Sequence, residues 1–77
     1  MNEEDLFGHF ENTIQKYMER HKISKYKLLK RGNLQQKQMQ AYYNGLIQRP
    51  DLAVLARICY ALDCQLSDII KYIPPAE

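Results

Sequence analysis

Eight cationic side chains, Arg20, Lys22, Lys25, Lys27, Lys30, Arg31, Lys37 and Arg49, stand between positions 20 and 50 with no Asp or Glu among them. Ammonium and guanidinium groups in a run can be merely a solvated face, but gathered without counter-charges they suit ion pairing and hydrogen bonding to the oxygens of a polyanion. The formal net charge of +2 conceals this. Of 11 basic and 9 acidic residues, the window holds +8, while three bases and nine acids outside it sum to −6. Interleaved with the cations are Gln35, Gln36, Gln38 and Gln40. Their amides each carry donors and an acceptor side by side.

Rival chemistries lack their parts. His9 and His21 are accompanied by no nucleophile, paired carboxylate or glycine-rich phosphate loop, so the chain does not read as an enzyme. Cys59 and Cys64 lie five apart and do not combine with the histidines into zinc-like spacing. They read as small apolar core residues, and no metal or other cofactor is expected.

The elements that must position the cations follow from hydrophobic spacing. From Asp5 to His21, the residues Leu6, Phe7, Phe10, Ile14, Tyr17 and Met18 recur at intervals of three and four, which predicts a first helix with a core stripe. His21 and Lys22 close it, and Ser24 is an N-cap for a second helix from Lys25 to about Arg31, with Leu28 and Leu29 inward. Gly32-Asn33 supplies a sharp turn from residues that accept a positive φ. A third helix is expected from about Gln35 to Asn44, with Met39 and Tyr42 inward and Gly45 as a left-handed stop. At 100° per residue, Lys37, Gln40, Ala41 and Asn44 point the other way, with Gln36 on the flank.

Asp51 caps a fourth helix whose stripe is Leu52, Leu55, Ile58, Cys59 and Leu62. A last short helix over about 66–72 turns Leu66, Ile69 and Ile70 inward before Pro74-Pro75. Tyr17, Tyr42 and Tyr60 suit core or rim positions with a wet hydroxyl. Five helices and no strand are predicted, an all-α chain. Its 77 residues read as a single domain with a core over about 6–73 and short tails. The composition, 45% hydrophobic and 26% charged, is that of a soluble globular protein. The longest apolar run, Leu52 to Ala56, is far below the roughly 20 residues that span a bilayer, and no signal-peptide pattern opens the sequence. A cytoplasmic protein with no membrane partner is expected.

Two short helices joined by a tight turn within a basic window are how a helix-turn-helix is written. Over about Phe10 to Tyr72 the sequence resembles the Cro/C1-type helix-turn-helix family of phage repressors and bacterial regulators. The resemblance rests on Ile23-Ser24-Lys25, Leu28, Gly32-Asn33-Leu34, Met39, Tyr42 and Tyr43-Asn44-Gly45. It continues through Arg49-Pro50 and the run Leu55 to Cys64, followed by Leu66-Ser67-Asp68-Ile69-Ile70.

The resemblance implies a compact five-helix lambda-repressor-like domain with the helix-turn-helix at helices two and three. Helix three then lies in the major groove of double-stranded DNA. The family's base-reading positions fall on Gln36, Lys37 and Ala41, with Gln40 beside them. Gln pairs with adenine N6/N7, Lys donates to guanine O6/N7, and Ala touches only a thymine methyl. Phosphate contacts are implied for Lys25, at the start of helix two, and for Asn44 and Arg49 in the loop after helix three. Lys27 and the Tyr26 and Tyr43 hydroxyls suit phosphate oxygens as well, and Gln35 stands at the start of helix three, where a phosphate-contacting role is also assigned. Gln35 replaces the usual Ser or Thr cap there, and Leu29 replaces a small residue where helices two and three cross.

The implied function is a sequence-specific DNA-binding transcriptional regulator, a repressor by resemblance. It is expected to act as a homodimer, in contact through helix five, the Ile73-Pro74-Pro75 tail or Leu6 and Phe7. No small-molecule ligand is evident. The alternative is a protein-interaction module on the same fold, an antitoxin or accessory regulator.

Overall fold

The computed structural model describes residues 6–76. Its elements run β1 (His9–Asn12), α1 (Ile14–Arg20), α2 (Lys25–Arg31), α3 (Gln36–Tyr43), α4 (Leu52–Leu62), α5 (Leu66–Ile69) and β2 (Ile70–Ile73). The fold is mostly helical, with the five expected helices. The core they enclose includes Ile14, Met18, Leu28, Met39, Ile58 and Ile69, all nearly devoid of solvent contact.

Both ends of the chain depart from the expected helices. Residues 9–12 and 70–73 form an antiparallel pair in the register His9↔Ile73 to Asn12↔Ile70. The expected first helix is therefore broken: Leu6 and Phe7 are helical, residues 9–12 are strand, and α1 begins at Ile14, while Asp5 lies outside the described residues and the last helix stops at Ile69. Gly8 shows why: its φ of +83° turns the chain, and a Cβ there would run into the Ile73 carbonyl. Phe10, placed in the core by its spacing, is 73% exposed, and Leu6 and Phe7 are exposed too. Leu52, Leu66 and Tyr60 likewise point to solvent, and Val54 and Ala61 are buried in α4 instead. Cys59 and Cys64 are only half-buried.

Polar groups fasten the strand pair to the helices. Thr13 donates its backbone N–H to the Ile69 carbonyl at 2.7 Å and its hydroxyl to the Asp68 carbonyl at 2.9 Å. Asn12 accepts from the Ile14 N–H and donates to the Tyr42 carbonyl, both at 2.9 Å, linking the start of α1 to the end of α3.

The first four helices end alike. Each closes with a left-handed residue, Lys22, Asn33, Gly45 or Asp63, at φ between 51° and 70°. In each, the next N–H reaches back five residues: Ile23 to Met18, Leu34 to Leu29, Leu46 to Ala41 and Cys64 to Cys59, at 2.9–3.0 Å. This Schellman closure satisfies carbonyls that a helix end leaves open and brings the two side chains at its ends together. Of the Gly32-Asn33 pair, only Asn33 takes the positive φ. Gly32 is right-handed and is needed for space, since its Cβ would lie 2.9 Å from the Leu28 carbonyl and 3.4 Å from that of Arg57 in α4.

Candidate nucleic-acid interface

Helix α2 starts where Ser24 accepts the Lys27 N–H at 3.0 Å, the cap its sequence promised. Leu28 is fully buried and Leu29 half-buried, so α2 seats firmly while Lys25, Tyr26, Lys27 and Lys30 remain exposed. Leu29, where the family has a small residue at the crossing of helices two and three, is half-buried and packs against the core.

After the Asn33 turn, Leu34 is buried and Gln35 opens α3 with extended backbone but no side-chain cap bond. The missing Ser or Thr is thus a real loss of about 1 kcal/mol by the usual worth of a cap. Met39 and Tyr42 bury one face of α3. That burial fixes the rotation of the helix. Gln36, Lys37 and Gln40 consequently stand in solvent on the far side, with Ala41 half-buried at the edge of the same face.

Tyr42 does more than fill space. Its hydroxyl accepts the Asp51 N–H at 2.9 Å, and the Asp51 carboxylate in turn accepts the Ala53 N–H at 2.7 Å. One side chain of α3 thus sets where α4 begins, and with it the span of the loop 44–51. Asn44 and Arg49 are exposed on that loop.

Lys25 and Tyr43 meet across the pair of helices, with the ammonium 4.5 Å from the ring centroid. Lys30 lies 5.6 Å from the Tyr26 ring on the same helix. Among the described residues the only ion pair joins Lys16 to Glu11 at 3.3 Å, outside the basic window. The window's cations are thus held by aromatic faces and solvent rather than by carboxylates. Lys25, Tyr26, Lys27, Gln36, Lys37, Gln40 and Asn44 are all exposed, on α2, on α3 and on the loop that follows it. Arg49 sits farther along, lining an open groove of about 740 Å³ with Phe10, Asn12, Ile47, Pro50 and Ile70.

Leu46, directly after the Gly45 stop, folds back on the end of α3: its N–H donates to the Ala41 carbonyl at 3.0 Å, and its side chain is 72% exposed. No group of three or more His, Cys, Asp or Glu capable of holding a metal occurs among the described residues. No described helix is long and apolar enough to cross a membrane.

Two short helices, a left-handed turn and a cationic outer face define a helix-turn-helix. A model of the Cro/C1-type HTH DNA-binding domain family matches residues 13–75, and the chain belongs to that family. It is a DNA-binding domain of the kind found in regulators. No curated protein sequence matches the chain significantly.

Proposed function

We propose that the chain is a sequence-specific transcriptional regulator of lambda-repressor-like layout, with α3 in the major groove of double-stranded DNA and two copies acting together. Gln36, Lys37 and Gln40 meet base edges, with Ala41 against a thymine methyl. Lys25, Tyr26, Lys27, Gln35, Asn44 and Arg49 hold the phosphates that set register. The observation that carries this reading is the rotation of α3. Burial of Met39 and Tyr42 turns an acid-free row of amides and an ammonium to solvent, beside the cations of α2.

Support for a homodimer comes from the strand pair. Phe10 and Tyr72 face one another across β1 and β2 with ring centroids 5.5 Å apart, yet remain 73% and 54% exposed. Exposed aromatic surface of this kind suits an interface, and a second copy laid on this face would bury it.

Selection of bound duplexes from a random library tests both parts together. Recovery of an inverted repeat, with half-sites about one helical turn apart, is the expected result. Failure to bind duplex even at low salt would overturn the reading in favour of a protein-interaction module. A featureless pool would remove sequence specificity.

A further inference from the structure

Cys59 and Cys64 have no part in the DNA-binding surface, and neither belongs to the basic window. Cys64 follows the left-handed Asp63 and donates its N–H to the Cys59 carbonyl at 3.0 Å, while Asp63 donates to the Tyr60 carbonyl at 3.2 Å. This closure places the side chains at its two ends in contact. The corresponding positions at the ends of α1, α2 and α3 hold Met18 with Ile23, Leu29 with Leu34, and Ala41 with Leu46. Only at α4 are both partners redox-active. Both thiols are free and half-exposed, so an oxidant in solution reaches them.

We propose that Cys59 and Cys64 form a dithiol site that a hydroperoxide oxidises to an intramolecular disulfide across the α4–α5 turn. The Cys59 thiolate attacks the hydroperoxide's distal oxygen, breaking the O–O bond. Sulfur becomes a sulfenic acid and the alkoxide or hydroxide leaves with a proton from water. Cys64 then attacks the Cys59 sulfur as its thiol proton passes to the departing hydroxide, so water is released and the S–S bond forms. Two electrons pass from the thiols to the peroxide. The order of events follows from Cys64: burial first, and then the neighbouring Cys59, pushes its thiol up to about 12, so Cys64 keeps its proton and is the resolving thiol, and the first attack falls to its partner.

The backbone bond from the residue 64 N–H to the residue 59 carbonyl already folds the two cysteines toward each other at the end of α4, where the disulfide would close.

The full reduced chain, treated with hydrogen peroxide and read by intact mass and alkylation, provides the test. The expected product is a monomer lighter by two hydrogens, with both thiols lost to alkylation together and both restored by a dithiol reductant. Cys59→Ser should lose this product, and Cys64→Ser should stop at a sulfenic acid that a cyclic dione captures. Oxygen added to the parent chain without loss of hydrogens, or disulfide-linked dimers alone, would overturn the proposal. The parent chain's own mass decides the matter even where a serine variant folds poorly.

Discussion

The Lys25 ammonium sits 4.5 Å from the centre of the Tyr43 ring, so the first residue of α2 is tied to the last residue of α3. Lys25 occupies an awkward place for a cation, since the amino end of a helix is already positive and α2 has no acid in its first turn. The electron-rich face of Tyr43 offsets that repulsion and restrains a side chain that would otherwise sample many rotamers. On the proposed reading, Lys25 would then meet a phosphate with its side chain already restrained.

Replacing the ring tests this. Cation–π pairs at exposed sites are worth about 0.5–1 kcal/mol, and only the part that restrains Lys25 before binding reaches the affinity, so Tyr43→Leu should weaken duplex binding by at most about fivefold, for every sequence alike. Tyr43→Phe keeps the π face and should retain most of the affinity, since it gives up only a hydroxyl. Titrations of both variants against one duplex at fixed salt separate the outcomes. Equal losses in both would assign the effect to the hydroxyl instead.

The two classes of contact residue should separate in salt and sequence. Lys25→Ala should lower affinity uniformly and reduce the salt slope by about 1. Gln36→Ala should leave the salt slope nearly unchanged and shift base preference by about 1–3 kcal/mol at one position of each half-site. Binding isotherms on a set of single-base variants at several salt concentrations distinguish them. A uniform loss from Gln36→Ala would move that residue to the phosphate group.

The middle of this fold was legible because its signals are local. Ser24 and Asp51 are caps read from single residues, Gly45 marks a left-handed stop, and Met39 with Tyr42 shows which way α3 faces. The ends were not legible in the same way. Phe10, Ile14, Tyr17 and Met18 keep helical spacing whether or not residue 10 is helical, and the partner that draws 9–12 into a strand lies about sixty residues away. Pairing over such a separation leaves no local pattern, because strand preference reflects what a residue packs against. Gly8, with its positive φ, was the one local sign of a break. The Lys25 and Tyr43 pairing was hidden for the same reason: it joins two helices, and only their crossing brings the residues together.

Tyr42 links α3 to α4 through one partly buried hydrogen bond, and that bond can be removed without changing the ring. Tyr42→Phe leaves the Asp51 N–H without its 2.9 Å acceptor in a partly buried place. Loss of such a partner costs about 1–3 kcal/mol. The urea midpoint should fall with its slope unchanged, because the surface exposed on unfolding is the same. Loss of duplex affinity beyond that explained by unfolding would show that the bond also positions the loop carrying Asn44 and Arg49. An unchanged midpoint would mean that water replaces the hydroxyl without cost.

Stability should decline at alkaline pH through Cys64. The Cys64 thiol is raised from 9.0 to about 12, by burial first and by Cys59 second. In the unfolded chain this thiol loses its proton near its ordinary value, whereas in the folded chain it keeps the proton until about 12. Between those values the folded state binds more protons than the unfolded one, so stability falls as pH rises and levels off above the folded value. Tyr17 is shifted in the same direction, again by burial first and then by Cys64, so part of the slope belongs to it. Under reducing conditions, urea midpoints measured for the parent and Cys64→Ala across this alkaline range should diverge, with the variant losing less as pH rises. Parallel curves would show that the protonated thiol contributes nothing to the fold's alkaline limit.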